Sequence, residues 1–480
     1  MDTATGSGEA RPVGDPPAGL LTPAIRNGDA LLQHGAGAAR TLALRLAGAG
    51  LAACDPARAV EQMVRLEGST LVVAGVPHRL DPDGKILLLG SGKATLAIAA
   101  ALERILGDRL NGGAVVVRDV GGPALKATQV LEASHPIPDE RSGAAARLLL
   151  SMASELGDRD LLIGCFTGGS SALTSLPPEG VTMEEKADLH RVLLSSGMPI
   201  IDVNTIRKQV SGFKGGRLAL AARPAAVINL TVSDVAGDPL DAITDPTVPN
   251  TTSARDAIEI LREYGLWGEI APSIRKTLEN PPPAPDLSGM SVQTEFLLTG
   301  EAACAAMSAE ASIAVGMNAV VLGTGIEEEA TAFGRIVGQM AAESAEFGRP
   351  FPPGSVLLGC GGESTVQLPD GVAFGRGGPN REAALAAATR LADLDVVGVF
   401  LDTDGADGGG DVAGAVIDGE TMARAGAAGV NVREALATHD SGAAFAAIGD
   451  AIDTGPTHTN VNDLFVIAIG ANGDGPELSR

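Results

Sequence analysis

At 480 residues the chain is longer than one hydrophobic core ordinarily serves, so two domains are expected. A formal charge of −24, with only one Trp and one Tyr, excludes a nucleic-acid backbone as the general partner. Hydrophobic residues make up 45% without any apolar run long enough for a bilayer, which indicates a globular chain with no membrane partner.

Residues 1–19 hold Gly, Pro, Asp and Glu with no apolar core segment, and read as a disordered tail, not a signal peptide. Residues 20–66 form an Ala-rich helical stretch broken near residues 48–50 and at Asp55-Pro56. Strand-like and helix-like runs then alternate, the pattern of a mostly parallel sheet with crossover helices. Strands are expected at residues 85–90, 114–117, 129–133, 161–166 and 226–232, with helices at 93–106 and 141–155. Three consecutive prolines, Pro281 to Pro283, stop both periodicities and mark a linker or a long crossing loop. Beyond it strands at 296–299, 319–323, 356–359, 365–368, 396–401 and 464–469 accompany helices at 302–315, 327–346 and 380–391. The expected fold is α/β in two domains, each a mostly parallel sheet with flanking helices. A Rossmann-like domain covers residues 20–280, a linker 281–294, and a C-terminal domain 295–480.

The stretch that organises the chain is residues 160–217. A buried strand runs into Thr167-Gly168-Gly169-Ser170-Ser171, followed by a helix-compatible segment and then Asn204-Thr205-Ile206-Arg207-Lys208 to Lys214-Gly215-Gly216-Arg217. Bare N–H groups in a Gly/Ser turn, with Lys and Arg on a backbone that approaches closely, suit an anion, phosphate above all. The chain has seven lysines, and three of them, Lys93, Lys208 and Lys214, sit in Gly-rich turns.

Gly90-Ser91-Gly92-Lys93-Ala94-Thr95 also joins a strand to a helix, the setting for phosphate binding. It departs from a P-loop, with Leu87 in place of the first Gly and Ala94 where Ser or Thr would hold magnesium. Thr95 stands at the third glycine of a dinucleotide turn. A plain tight turn and an anion contact through Lys93 are both open, and Lys93 at the helix mouth favours the second. Gly168 to Ala172 lies one residue from the nucleophile elbow of serine hydrolases, with Ser170 as nucleophile and His439 or His458 as base. An anion turn without a nucleophile is the preferred reading. His135, before Pro136, is a substrate ligand or base on one reading and a structural residue on the other. Asp402 to Asp411 carries four Asp in ten residues; this loop, or Asp234 and Asp238, suits magnesium, which needs one or two carboxylates plus phosphate, and a solvated acidic turn is an equal reading of it.

Taken as an ordered set, these runs, with Gly377–Glu382, Asp440-Ser441 and Thr454–Asp463, resemble the class II glycerate 2-kinases, whose C-terminal part is called the MOFRL domain. The resemblance covers roughly residues 25 to 470 and is most specific at Asn204–Leu218 and Thr454–Asp463. It implies two α/β domains around an inter-domain cleft and an enzyme that uses ATP and Mg²⁺ to phosphorylate D-glycerate at its 2-hydroxyl. The four scattered cysteines, with no CxxC pair, separately fit a reducing, cytoplasmic setting, and a homodimer is left open. On this reading Lys93, Asp234, Lys214 and Arg217 carry the chemistry. Gly92, Gly168, Gly169, Ser170, Ser171, Asn204, Arg207, Lys208, Arg376, Asn380 and Asn460 hold phosphate and substrate, and Asp234, Asp404 and Asp407 are metal candidates. An NAD(P)-dependent hydroxypyruvate reductase, a serine hydrolase on Ser170 and a sugar-phosphate sensor are the alternatives. One departure stands out. Where the family places an arginine before Asn-Gln-Glu, this chain has Pro379, leaving Arg376 or Arg381 to supply the charge, and Arg376 is the better placed on helical geometry.

Overall fold

A computed structural model describes residues 25–232, 240, 243–315, 317–367 and 374–471. Two helices come early, α1 (Gly37–Ala53) and α2 (Pro56–Met63). Asp55 divides them: its carboxylate accepts from the N–H groups of Ala57 and Arg58, and Pro56 takes the first helical position, where a missing N–H costs nothing. The helical stretch expected to reach residue 66 ends earlier. Val64–Glu67 (β1), Thr70–Val73 (β2) and Val76–Arg79 (β3) form a small antiparallel meander, turning at Gly68 and Gly75 with φ of 63° and 83°.

The first large sheet contains β4 (Ile86–Ser91), β5 (Gly112–Val117), β6 (Thr128–Glu132), β7 (Leu161–Phe166), β8 (Ala226–Val232) and β9 (Val292–Leu298). Its order is β6-β5-β4-β7-β8-β9 and every pairing is parallel, the doubly wound Rossmann order. The chain winds outward from β4 to β6, then returns to β7 on the other side of β4. The carboxyl ends of β4 and β7 therefore flank the switch point, where such sheets open a ligand crevice. Helices α3 (Thr95–Leu106), α4 (Glu140–Ser154), α5 (Ser170–Leu173), α6 (Met183–Ser195) and α7 (Ile200–Gln209) belong to this half.

The second sheet contains β10 (Asn318–Gly323), β11 (Ser355–Cys360), β12 (Val396–Asp402), β13 (Gly414–Asp418), β14 (Ala451–Ile452) and β15 (Asp463–Ile469), in the order β10-β11-β15-β12-β13-β14. Here the expectation of a mostly parallel sheet is corrected: only β10–β11 is parallel and the other four pairings are antiparallel. The apolar runs of β12 and β15 resemble parallel strands because both faces are covered. Alternate residues pack on α1 and α8 (Gly300–Val315) on one side, and on α9 (Ala330–Phe347) and α10 (Pro379–Ala388) on the other.

Two boundaries also move. The strand near residue 296, expected to open the C-terminal domain, is β9 and pairs with β8 in the first sheet, so the Pro281–Pro283 segment is a crossing loop inside that half. Helix α1, expected in the N-terminal domain, packs on β12 and β15. Its Arg40 is fully buried there, donating Nε to Asp418 Oδ2 at 2.6 Å and Nη1 to Asp450 Oδ1 at 2.7 Å. Thr365 makes only an isolated bridge to Glu329 where a strand was expected.

Candidate active site

The loops after β4 and β7 are joined by hydrogen bonds. Lys93 N–H donates to Gly168 O at 2.9 Å, Ala94 N–H to Thr167 Oγ1 at 3.2 Å, and Gly92 N–H to Val116 O at 3.1 Å. Thr95 Oγ1 donates to Cys165 O at 3.0 Å, pinning α3 to β7. The amides of the 92–94 turn are thus used inside the protein, and that turn is a buttress. The Thr167–Ser171 turn is different. Ser170 N–H donates to Thr167 O, but the N–H groups of Gly168, Gly169 and Ser171 have no acceptor among the described residues. Gly169 sits at φ 86°, and a Cβ there would lie 3.3 Å from His135. Such a concave row of N–H groups is an anion nest.

This turn floors a cleft of about 270 Å³. From the first half come Lys93, His135, Gly168 to Ala172, Asn204, Arg207 and Asp245; from the second come Glu363, Asp402, Asn460 and Asn462. The first wall carries Lys93 and Arg207 beside the buried Asp245, the second carries Glu363 and Asp402, and Lys93 Nζ reaches across to Asp404 Oδ2 at 2.6 Å. Burial and the charges of Lys93, Arg118 and Arg207 push His135 down to about 4, so its imidazole is neutral at pH 7. Burial and the nearby Asp404 and Asp463 charges push the Asp402 carboxyl well above the usual carboxylate range, and Asp463 rises to about 7, chiefly through burial.

The MOFRL family description matches residues 356–463, and a domain of unknown function, DUF4147, matches residues 42–279. A glycerate 2-kinase from Pyrococcus horikoshii is 38% identical over 441 residues, 90% of this chain and 97% of that one. A crystal structure of glycerate kinase from Thermotoga maritima superposes with a TM-score of 0.75 at 32% identity, covering 89% of this chain and 99% of that one. The chain belongs to the MOFRL family of glycerate kinases. A relative from Agrobacterium vitis, 36% identical over 434 residues, 90% of this chain and 95% of that one, carries a provisional hydroxypyruvate reductase name.

Within this family member the residues singled out by sequence divide into three groups. Lys93, Gly168, Gly169, Ser170, Ser171, Asn204, Arg207 and Asn460 line the cleft. Lys208, Lys214, Arg217, Gly92, Arg376 and Asn380 do not. Lys214 is buried with Nζ on Thr174 O at 3.0 Å, and Arg217 Nη1 donates to Lys214 O at 2.8 Å. Asn380 is buried against Asp463 and Asp407. Asp234 and Asp238 lie outside the described residues.

The MOFRL chain also places its acid candidates unexpectedly. Asp407 is fully buried as the acceptor for the first amides of α10, Asn380 N at 2.9 Å and Arg381 N at 3.1 Å, and it pairs with Arg381 Nε at 2.8 Å. It is a helix anchor. Arg376, preferred from sequence, is exposed and absent from the cleft lining, while Arg381 is committed to Asp407. Lys93, read from sequence as an anion contact at a helix mouth, is ion-paired to Asp404, 311 residues away. The hydrolase reading loses its bases: His439 bonds Glu382 at 2.8 Å, and neither His439 nor His458 lines the cleft with Ser170.

Sequence reasoning passed over Asp245, Glu363, Asn462, Lys186 and His190. Asp245 and Glu363 had no signal beyond their types, while Lys186 and His190 share one helix face at i, i+4 spacing, the pattern that could have found them. Among the described residues no group of three or more His, Cys, Asp or Glu is arranged to hold a metal by itself, and no helix is long and apolar enough to cross a membrane.

Proposed function

We propose that this chain transfers the γ-phosphoryl group of ATP to the 2-hydroxyl of D-glycerate, giving 2-phosphoglycerate and ADP. The observation that supports it most is what the cleft brings together: turn amides with no acceptor among the described residues, and Arg207, on one wall, and Asp402 and Glu363 on the other. Phosphoryl transfer needs positioning and charge neutralisation above all. The N–H groups of Gly168, Gly169 and Ser171, with Lys93, hold phosphate oxygens. Arg207 and Asn204 take the carboxylate of the acid, the guanidinium as a planar fork. Asn460 closes the cleft from the second half. The hydroxyl oxygen attacks phosphorus as the bridging bond to ADP breaks, and the hydroxyl proton passes to a carboxylate, for which Asp234 is the candidate.

A divalent cation fits the acidic wall, because Asp402 is buried among other carboxylates whose repulsion a cation relieves. Asp402 and Glu363 would hold Mg²⁺, with Asp404 and Asp234 as further candidates; Asp407 is committed to α10. When bound, Mg²⁺ neutralises phosphate charge. A cytoplasmic location accords with four free, buried cysteines.

A coupled ADP-release assay over D-glycerate, L-glycerate and related three- and four-carbon hydroxy acids tests the reading. ADP release specific to D-glycerate is expected. NADH oxidation with hydroxypyruvate, without ADP release on any acid, would overturn it.

A further inference from the structure

The helices on the α9–α10 side of the second sheet leave a groove that the proposed reaction does not use. Gly334 and Gly338, one turn apart on α9, let that helix lie close against α10. A Cβ on Gly334 would come within 2.1 Å of Ala383 O, and one on Gly338 within 2.8 Å of Ala387 O. Two short helices, α11 (Thr421–Ala427) and α12 (Val432–Ala437), follow β13, and α12 packs on α10 as well. Between them lies a cavity of about 470 Å³, in the size range of small-molecule sites. Thr331 and Arg335 line it from α9, Met422 from α11, and Val432, Arg433 and Leu436 from α12; none of these lines the cleft. Thr331 and Arg335 stand one turn apart, as do Val432 and Leu436, so each helix turns one face to the cavity.

The lining combines two chemistries. Val432 belongs to the apolar cluster on this side of the sheet, and Met422 and Leu436 edge it. Their carbon surface inside the cavity gains by being covered. Arg335 and Arg433 are exposed, so a ligand can reach both guanidiniums. Other arginines of this half are committed, Arg381 to Asp407 and Arg424 to Asp418 and Asp450. Arg335 and Arg433 have no ion pair and no hydrogen bond among the described residues. No carboxylate lines the cavity. Thr331 Oγ1 donates to the buried Glu382 Oε1 at 2.9 Å, and the same oxygen meets His439 Nδ1 at 2.8 Å, so that acid is already partnered. In a chain with a formal charge of −24, two free cations and no acid around one cavity suit an anion.

We infer that this groove binds a small organic anion with an apolar body. The ring or chain sits on Met422, Val432 and Leu436, and a phosphate, sulfonate or carboxylate head lies between Arg335 and Arg433, whose planar guanidiniums act as forks. No bond is made or broken. The site shares no residue with the cleft and calls for neither ATP nor glycerate, so it stands or falls independently of the kinase reading.

Fluorescence titration of the whole chain with 8-anilinonaphthalene-1-sulfonate, beside its uncharged parent N-phenyl-1-naphthylamine, tests the inference. The sulfonate should bind saturably, with a Kd about tenfold or more below that of the parent. The double variant Arg335→Glu/Arg433→Glu should weaken the sulfonate by about tenfold or more and leave the parent little changed. Both sites are exposed, so the fold should survive, and the double Gln variant takes its place should it not. Leu436→Ser should weaken both probes. Saturating D-glycerate should displace neither. Absence of saturable sulfonate binding, equal affinity for the two probes, or sulfonate affinity unmoved by loss of both arginines would overturn the inference. So would probe affinities unmoved by Leu436→Ser, or displacement by D-glycerate.

Discussion

Arg381 and Arg376 show how far neighbouring residues can diverge in role. The Arg381 guanidinium is 8% exposed and bonded to Asp407, which in turn holds the first amides of α10. Removing it strands a buried carboxylate, so Arg381→Ala should cost on the order of 3–5 kcal/mol in urea unfolding. Arg376→Ala, at an exposed site, should stay within about 0.5 kcal/mol. Equal losses would contradict the burial argument. Lys93 and Asp404 form a different kind of pair, partly exposed, with Lys93 in the cleft lining. Lys93→Ala should lower turnover by ~10² or more with folding intact. Asp404→Ala should lower it less, and the double variant should fall short of the product of the two. A strictly multiplicative double variant would mean that the pair does not act as a unit.

Buried histidines give a pH signature at the same scale. His135 and His190 are both held below their ordinary value near 6.5, His135 at about 4. Between those values the unfolded chain binds more protons than the folded one, so stability present above pH 6.5 is lost as pH falls toward 4. The denaturation midpoint should decline across that window, and His190→Leu should flatten part of the decline. A midpoint with the same slope in both proteins would exclude His190 as a contributor.

Among the elements, the turn before α5 carries the most consequence. Gly169 is left-handed, and its neighbours are His135 at 3.3 Å and Lys93 Cγ at 3.6 Å. Gly169→Ala adds about 1–2 kcal/mol of backbone strain and tilts the donor row. The expected outcome is a folded protein with a KM for D-glycerate raised at least tenfold; an unchanged KM would show that the amides do not touch ligand. At α10 the Pro379 departure becomes intelligible. Pro occupies the first helical position, where no N–H is needed, and Asp407 serves the amides that follow. The helix start is thus built from a proline and a distant carboxylate, and the charge expected near 379 is not supplied by Arg381.

At the scale of the whole molecule, the two sheets are interlocked by chain segments that cross between them. Helix α1 precedes the first sheet in sequence but packs on the second, where Arg40 joins Asp418 and Asp450. Strand β9 follows the proline-rich loop but completes the first sheet. A fragment cut at residue 295 therefore lacks α1 and begins inside β9. It should be insoluble or molten when expressed alone, while co-expression with a fragment spanning residues 25–294 should rescue both. A cooperatively folded 295–480 fragment, shown by sharp urea unfolding, would refute this interlocking.

The sequence by itself determined the α/β class, the β4 and β7 turns, and the membership that Asn204–Leu218 and Thr454–Asp463 announced. These are local: an apolar strand, a Gly/Ser turn and a helix read from adjacent residues. It also placed Lys93, Gly168 to Ser171, Asn204, Arg207 and Asn460, all of which face one cleft. Only tertiary structure decided the rest. Strand direction in the second sheet depends on partners that an apolar run does not specify, since burial on both faces looks the same in either sense. The ion pairs of Lys93, Arg40 and Arg381 join residues 311, 378 and 26 positions apart, so no spacing announces them. Lys214 and Lys208 read like Lys93 in sequence, as lysines of Gly-rich turns, but the structure puts Lys208 inside α7. Folding buries Lys214 against a carbonyl, places Lys208 outside the cleft lining and leaves Lys93 at its edge, because position in the fold, not residue type, sets which charge meets the ligand.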